Sequence, residues 1–209
     1  MLNLINLYLE ESINISKTID KNKIKELTEL VIECYKGENT IFAFGNGGNC
    51  GFVSNLVNDL NFLPFSSDDK KNQYTNRNRF KSVSLCDSGA TLTGIANDFS
   101  YEEIFSEQLK FQANKNDVLI GFSGSGNSKN ILKAFEYGKQ IGTKNVLLTR
   151  NQVNKISEYS DLIVCVDGIS NFPGQVKGNN NNFHFEDFTS KISHIVCGIL
   201  RSYVQTNPQ

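Results

Sequence analysis

The sequence predicts an α/β fold built on a parallel sheet that is covered on both faces. Short apolar runs recur from residue 40 onward, at Thr40–Phe44, Phe80–Leu85, Val118–Phe122, Asn145–Thr149 and Leu162–Val166. Most of them lead into a Gly, Ser, Asp or Asn turn and then a helical pattern. Each run is rich in Ile, Val, Leu or Phe, and continuous apolar runs alternating with helices indicate strands buried on both faces.

The first 36 residues read as a helical pair. Leu2, Ile5, Leu9 and Ile13 fall on one face at helical spacing. Asp20 offers an N-cap to a second helix, in which Ile24, Leu27, Val31 and Cys34 repeat the period until Gly37 stops it. A last helix is expected from about Phe183 to Val204, with Phe185, Phe188, Ile192, Ile195 and Ile199 on its apolar side. Two connections are long for a compact domain, Leu63–Arg79 and Asn171–Asn182, and such loops are commonly functional or disordered. With no repeat and no linker, the expectation is one complete domain: assembly helices over 1–36, a sheet core over 37–182 and a C-terminal helix over 183–205.

Composition narrows the function classes. The 209 residues carry 21 basic and 22 acidic side chains, a net charge of −1. That balance lacks the basic footprint of a duplex nucleic-acid binder. Cys34, Cys50, Cys86, Cys165 and Cys197 include no CxxC pair, so they read as reduced thiols, mostly buried small hydrophobes, of a cytoplasmic protein. The N-terminus has no basic n-region, and no apolar run is long enough to span a membrane.

Two loops carry the chemistry. Gly45-Asn46-Gly47-Gly48-Asn49 follows the first strand and opens a helix, where backbone N–H groups and the helix dipole favour an anion. It has neither GxGxxG spacing nor a GK[ST] ending, so a tight turn is the competing reading. Ser123-Gly124-Ser125-Gly126-Asn127-Ser128 lies between a buried strand and a helix, and its three hydroxyls suit a phosphate monoester. The loop contains no lysine, which argues against γ-phosphate chemistry.

These loops, together with Leu92–Tyr101 (including Asn97-Asp98), Asp117–Ser123 and a histidine in the last helix, resemble the sugar isomerase (SIS) domain family, and within it the phosphoheptose isomerase group. The resemblance implies a three-layer αβα sandwich with a five-stranded parallel sheet, and a homotetramer with sites between subunits. It also implies conversion of sedoheptulose 7-phosphate to D-glycero-D-manno-heptose 7-phosphate through an enediol, for bacterial surface heptose (lipopolysaccharide or capsule). A base would take the proton beside the carbonyl, and an acid would protonate the neighbouring oxygen.

Carried over position by position, the resemblance assigns acid–base catalysis to Asp59 and His194. It assigns substrate binding to Asn46, Gly47, Asn49, Asp98, Ser123, Gly124, Ser125, Ser128 and Glu186. Gly124 stands where many members have threonine, Asn49 where serine is usual, Asp59 where glutamate is usual and Glu186 where glutamine is common. Asn55 replaces a histidine that helps bind a divalent metal in many members, and an amide is a poor zinc ligand. Metal-free chemistry is therefore the expectation, and zinc on Asp59, Glu186 and His194 is the alternative. Blander readings compete: His194 as a core histidine, Asp59 and Glu186 as solvated charges, Asp98 as a turn cap. Lys70, Lys71, Arg77 and Arg79 read as a solvated loop, with phosphate steering as the other option. The rival functions are a non-catalytic phosphosugar-binding or replication-initiator-associated regulator, and an isomerase of a different sugar phosphate.

Overall fold

A computed structural model describes residues 1–69, 78–175 and 181–207. Its chain order is α1 (Leu2–Thr18), α2 (Lys21–Lys36), β1 (Thr40–Gly45), α3 (Gly48–Phe62), β2 (Lys81–Ser84), α4 (Gly89–Asp98), α5 (Ser106–Gln112), β3 (Val118–Phe122), α6 (Lys129–Ile141), β4 (Lys144–Thr149), β5 (Leu162–Cys165) and α7 (Asn182–Thr206). The five strands pair in parallel in the order β2-β1-β3-β4-β5. The fold is a three-layer αβα sandwich preceded by a helical pair.

Alternate side chains of each strand feed two separate cores. Ile41, Ala43, Ile120, Phe122, Val146 and Leu148 pack with α2, α3 and α7. Phe42, Phe44, Leu119 and Leu147 pack with α5, α6 and the turn around Ile104. Burial on both sides explains why β1, β3 and β4 are apolar without alternation, whereas the edge strand β2, Lys-Ser-Val-Ser, is only partly covered. The strand order reverses between β1 and β3, which places a crevice at the carboxyl ends of these two strands. Gly45 pairs with Phe122 there, so the glycine loop and the serine loop leave the sheet side by side.

The helix ends follow their chemistry. The Asp20 carboxylate accepts the Asn22 N–H at 2.8 Å and caps α2, while the N–H of Gly37 closes it on Glu33 and Tyr35 carbonyls. In α1, Leu2, Ile5, Leu9 and Ile13 share a face as expected; it points outward, Leu2 being 69% exposed, and Ile15 is the buried residue of this helix. The reading of α7 is corrected. Phe185, Phe188 and Ile192 are buried, whereas Ile195 and Ile199 are about half exposed and Val196, Leu200 and Val204 take the core side.

With so little apolar burial of its own, α1 is held by a polar clasp. Glu11 accepts hydrogen bonds from the Ser170 hydroxyl and the Asn171 N–H, both at 2.7 Å, and lies 3.1 Å from Nε2 of the fully buried His184. Tyr8 stacks on the His184 ring and donates its hydroxyl to Asp187 at 2.7 Å. Burial alone would raise the Glu11 pKa, but the Asn171 N–H, the Ser170 hydroxyl and His184 hold it below the usual value. A carboxylate depressed in the folded state stabilises above its unfolded pKa, and the contribution is lost as pH falls through the folded value. Glu11→Gln should therefore cost about 2 kcal/mol at neutral pH, a fall in Tm of roughly 4–8 °C. The difference from the parent chain should shrink in acid; thermal scans of both proteins at pH 7 and pH 3.5 check this, and an unchanged gap would refute the assignment.

The cysteine reading is also corrected. Cys34 and Cys197 are buried, but Cys50, Cys86 and Cys165 are each partly exposed. Lys70, Lys71 and Arg77 lie outside the described residues. Arg79 is described, and its guanidinium sits over the Phe65 ring at 5.1 Å and donates to the Asn61 carbonyl.

Candidate active site

The serine loop is internally organised. Ser123 is buried; its hydroxyl donates to Ser128 Oγ at 3.1 Å and accepts the Gly126 N–H at 3.1 Å. Ser128 is the N-cap residue of α6 but makes no side-chain cap bond, so its hydroxyl faces the loop rather than the helix. Ser125 is exposed and accepts the Asn127 N–H. Gly126 has φ +65°, a left-handed conformation that side chains other than glycine's resist.

The glycine loop is braced to its neighbour. Asn46 and Asn130 exchange two side-chain hydrogen bonds, at 3.0 and 2.7 Å, and Tyr101 donates its hydroxyl to Asn46 Oδ1 at 2.9 Å. The Asn46 carboxamide thus holds two loops together. Asn130 joins the site as a residue that sequence reasoning missed, and Tyr101 as one quoted in a motif but given no role. Gly47, at φ +57°, is the N-cap of α3, and the space where its Cβ would stand is open. Asn49 is buried, and among the described residues its Oδ1 has no hydrogen-bond partner. An unmet buried acceptor costs about 1–3 kcal/mol, and a ligand hydroxyl would satisfy it.

Glu186 comes up beneath this loop. A Cβ on Gly48 would lie 3.1 Å from its carboxylate oxygens, so the charge rests against the first turn of α3, where the helix dipole favours an anion. Asn182 donates Nδ2–H to Glu186 Oε1 at 2.8 Å. Its Oδ1 stands 2.9 Å from where a Gly124 Cβ would be, with Arg150 Nε at 3.1 Å from the same point. The volume a threonine would need at 124 is therefore filled by Asn182 and Arg150, and Arg150 Nε also donates to the Gly124 carbonyl at 3.0 Å.

Asp59 and His194 meet between α3 and α7. His194 Nε2 lies 3.7 Å from Asp59 Oδ2 and 3.4 Å from Asn55 Nδ2. The four-residue spacing of Asn55 and Asp59 puts both on the α3 face that meets α7. Asp59 is largely covered, whereas His194 is 59% exposed, so it is no core histidine. Asp98 ends α4, is exposed and accepts from Asn97 at 2.8 Å. No bond ties it to the other candidates among the described residues.

Within one protomer the residues of the zinc alternative are not brought together. Among the described residues no three His, Cys, Asp or Glu side chains converge at metal distance. Glu186 is engaged at the head of α3, and the side chain that joins the Asp59–His194 pair is the amide of Asn55.

Fold and loops match known proteins. A family model for the SIS domain matches residues 7–149. The chain belongs to the SIS domain family. Among SIS relatives, the phosphoheptose isomerase of Helicobacter pylori strain P12 is 35% identical over 144 residues, covering 68% of this chain and 70% of that protein. A probable phosphoheptose isomerase of Thermoplasma volcanium is 26% identical over 196 residues, covering 94% and 90%. The solved structure of a phosphoheptose isomerase from Francisella tularensis superposes with a TM-score of 0.80 at 21% identity, covering 96% of this chain and 98% of that one, and so shares the SIS fold. Among the described residues, no helix is long and apolar enough to cross a membrane.

Proposed function

We propose that the chain is a phosphoheptose isomerase, interconverting sedoheptulose 7-phosphate and D-glycero-D-manno-heptose 7-phosphate. The observation that carries this is the Asp59–His194 pair at 3.7 Å, in a chain whose relatives share that name. The phosphate would sit on the 123–128 loop, against the hydroxyls of Ser123, Ser125 and Ser128. Asn49, Asp98 and Glu186 would take sugar hydroxyls, the unmet Asn49 Oδ1 accepting one of them. A carboxylate and an imidazole then divide the acid–base work: one removes the proton beside the carbonyl, the other gives a proton to the oxygen as the enediol forms. No step is routed through zinc.

Subunit assembly completes this reading. Asp59 stands eleven residues beyond Gly48, roughly 16 Å along α3. The pair is thus well separated from the loop that opens its own helix. His194 is exposed beside Ile195 and Ile199, and the outward face of α1 is apolar too. A homotetramer with sites between subunits would cover these faces and dry the pair, and catalysis of a cytoplasmic sugar phosphate would follow only in the assembly. Incubation with sedoheptulose 7-phosphate, followed by NMR for the aldoheptose phosphate, tests the proposal. Absence of turnover, with or without added zinc, would overturn it.

The second reading is a non-catalytic phosphosugar-binding module. The observation favouring it is Asn55 in place of a histidine, its amide 3.4 Å from His194. Stabilisation by sugar phosphate without turnover would select this reading.

A further inference from the structure

Cys50 and Cys86 converge on a single atom. Cys50 lies in the first turn of α3, and Cys86 follows the end of β2. The Cys50 thiol points at the Gly45 carbonyl oxygen at 3.0 Å, and the Cys86 thiol points at the same oxygen at 3.5 Å. Sharing one acceptor brings the two sulfurs side by side. Both residues are partly exposed, so a small oxidant can reach them. Their segments are pinned in this relation by Asp87, which accepts from Ser84 at 2.8 Å and from Ser54 on α3.

The environment divides the two thiols into an attacking and a resolving partner. The Cys86 thiol beside it lowers the Cys50 pKa, against burial and the Asp87 charge. The same proximity, with burial, raises that of Cys86. A thiolate is the reactive form of cysteine, and a second thiol beside it resolves the first oxidation product.

We propose that Cys50 and Cys86 form an oxidant-driven disulfide that shuts down the site above them. With hydrogen peroxide as oxidant, the Cys50 thiolate attacks one peroxide oxygen, the O–O bond breaks, and the leaving hydroxide takes up a proton to become water. The Cys86 sulfur then attacks the sulfur of the Cys50 sulfenic acid. The S–O bond breaks, and the oxygen departs as a second water carrying the Cys86 proton. The two sulfurs lose two electrons and the peroxide gains them.

The effect on the site runs through the backbone. The Gly45 carbonyl loses both thiol donors when the sulfurs join. The Cys50 N–H is bonded to the Gly47 carbonyl at 3.0 Å, and the Asn49 N–H to that of Asn46 at 3.2 Å. Drawing Cys50 toward Cys86 therefore pulls on the loop that carries Asn46, Gly47 and Asn49. The covalent part of this inference stands alone; its effect on turnover rests on the function proposed above.

The test treats the full-length chain with peroxide, alkylates the remaining thiols and maps peptides without reduction. The expected product is one linked Cys50–Cys86 peptide pair, two hydrogens lighter than the separate peptides, absent from Cys50→Ser and Cys86→Ser. Turnover of sedoheptulose 7-phosphate should fall on the order of 10–100-fold and return with dithiothreitol, while both serine variants resist. Full alkylation of both thiols after peroxide, or linkage to other cysteines, overturns the inference. Equal turnover of linked and reduced protein overturns the regulatory half. Should the reduced protein show no turnover, the peptide map still decides the disulfide, and thermal stabilisation by sedoheptulose 7-phosphate, expected only in the reduced form, decides its effect.

Discussion

His194→Ala is expected to lower isomerase turnover by about 10²–10⁴-fold, the range general acid–base catalysis contributes. Sugar-phosphate binding should be kept, because the phosphate loop belongs to other elements. The exposure of His194 makes the test clean: removing a side chain that is 59% exposed leaves no cavity. Stability should therefore stay within about 0.5 kcal/mol of the parent. Turnover measured with saturating sedoheptulose 7-phosphate, beside thermal stabilisation by the same compound, separates chemistry from binding. A loss smaller than tenfold would remove His194 from the acid–base pair.

Gly126→Ala is expected to cost about 2–5 kcal/mol, the largest stability effect of a single methyl group at this site. A side chain at φ +65° costs about 1–2 kcal/mol. The new Cβ would also stand 2.1 Å from Asn154 Cγ and 2.6 Å from its Cβ. Crowding of that kind adds about 1–3 kcal/mol. Asn154 cannot swing aside cheaply. Its Oδ1 accepts the N–H groups of Ile156 and Ser157, and its Nδ2 donates to the Asn151 carbonyl. Urea unfolding should show the loss as a shifted midpoint, and sugar-phosphate binding should weaken with it, since Gly126 shapes the serine loop. A cost below about 1 kcal/mol would mean that the 151–157 turn yields, contrary to its bonding.

What could be read without coordinates follows from burial. The central strands were legible because a strand covered on both faces admits little but apolar residues, while the edge strand β2, Lys-Ser-Val-Ser, showed through the buried Phe80 and Leu85 that flank it. The β1 and β3 loops were legible because glycine and serine cluster there for backbone reasons. Amphipathicity located α1 but could not say whether its stripe meets the core or another surface; the same 3.6-residue period serves both. The end of α7 was misassigned for the same reason, with Ile195 and Val196 adjacent in sequence and opposite in exposure. Asn130 and Asn182 left no signal: they act through partners 84 and 4 positions away, and asparagine is so frequent in this chain that neither stood out. Tyr101 lay inside the Leu92–Tyr101 segment, but its role comes from Asn46, 55 positions away. The Gly124 departure was visible, but not that Asn182 and Arg150 fill the vacated volume.

The polar clasp on α1 has a kinetic meaning. A helix whose buried apolar contribution is Ile15 can detach while the sheet stays folded, because local opening draws on little hydrophobic free energy. Its amide hydrogens should then trade with solvent deuterium sooner than those of α2, which buries six residues. Slow exchange along α1 would be the signature of a neighbouring subunit seated on Leu2, Ile5, Leu9 and Ile13, so isotope uptake in this one helix gauges whether the proposed assembly has formed.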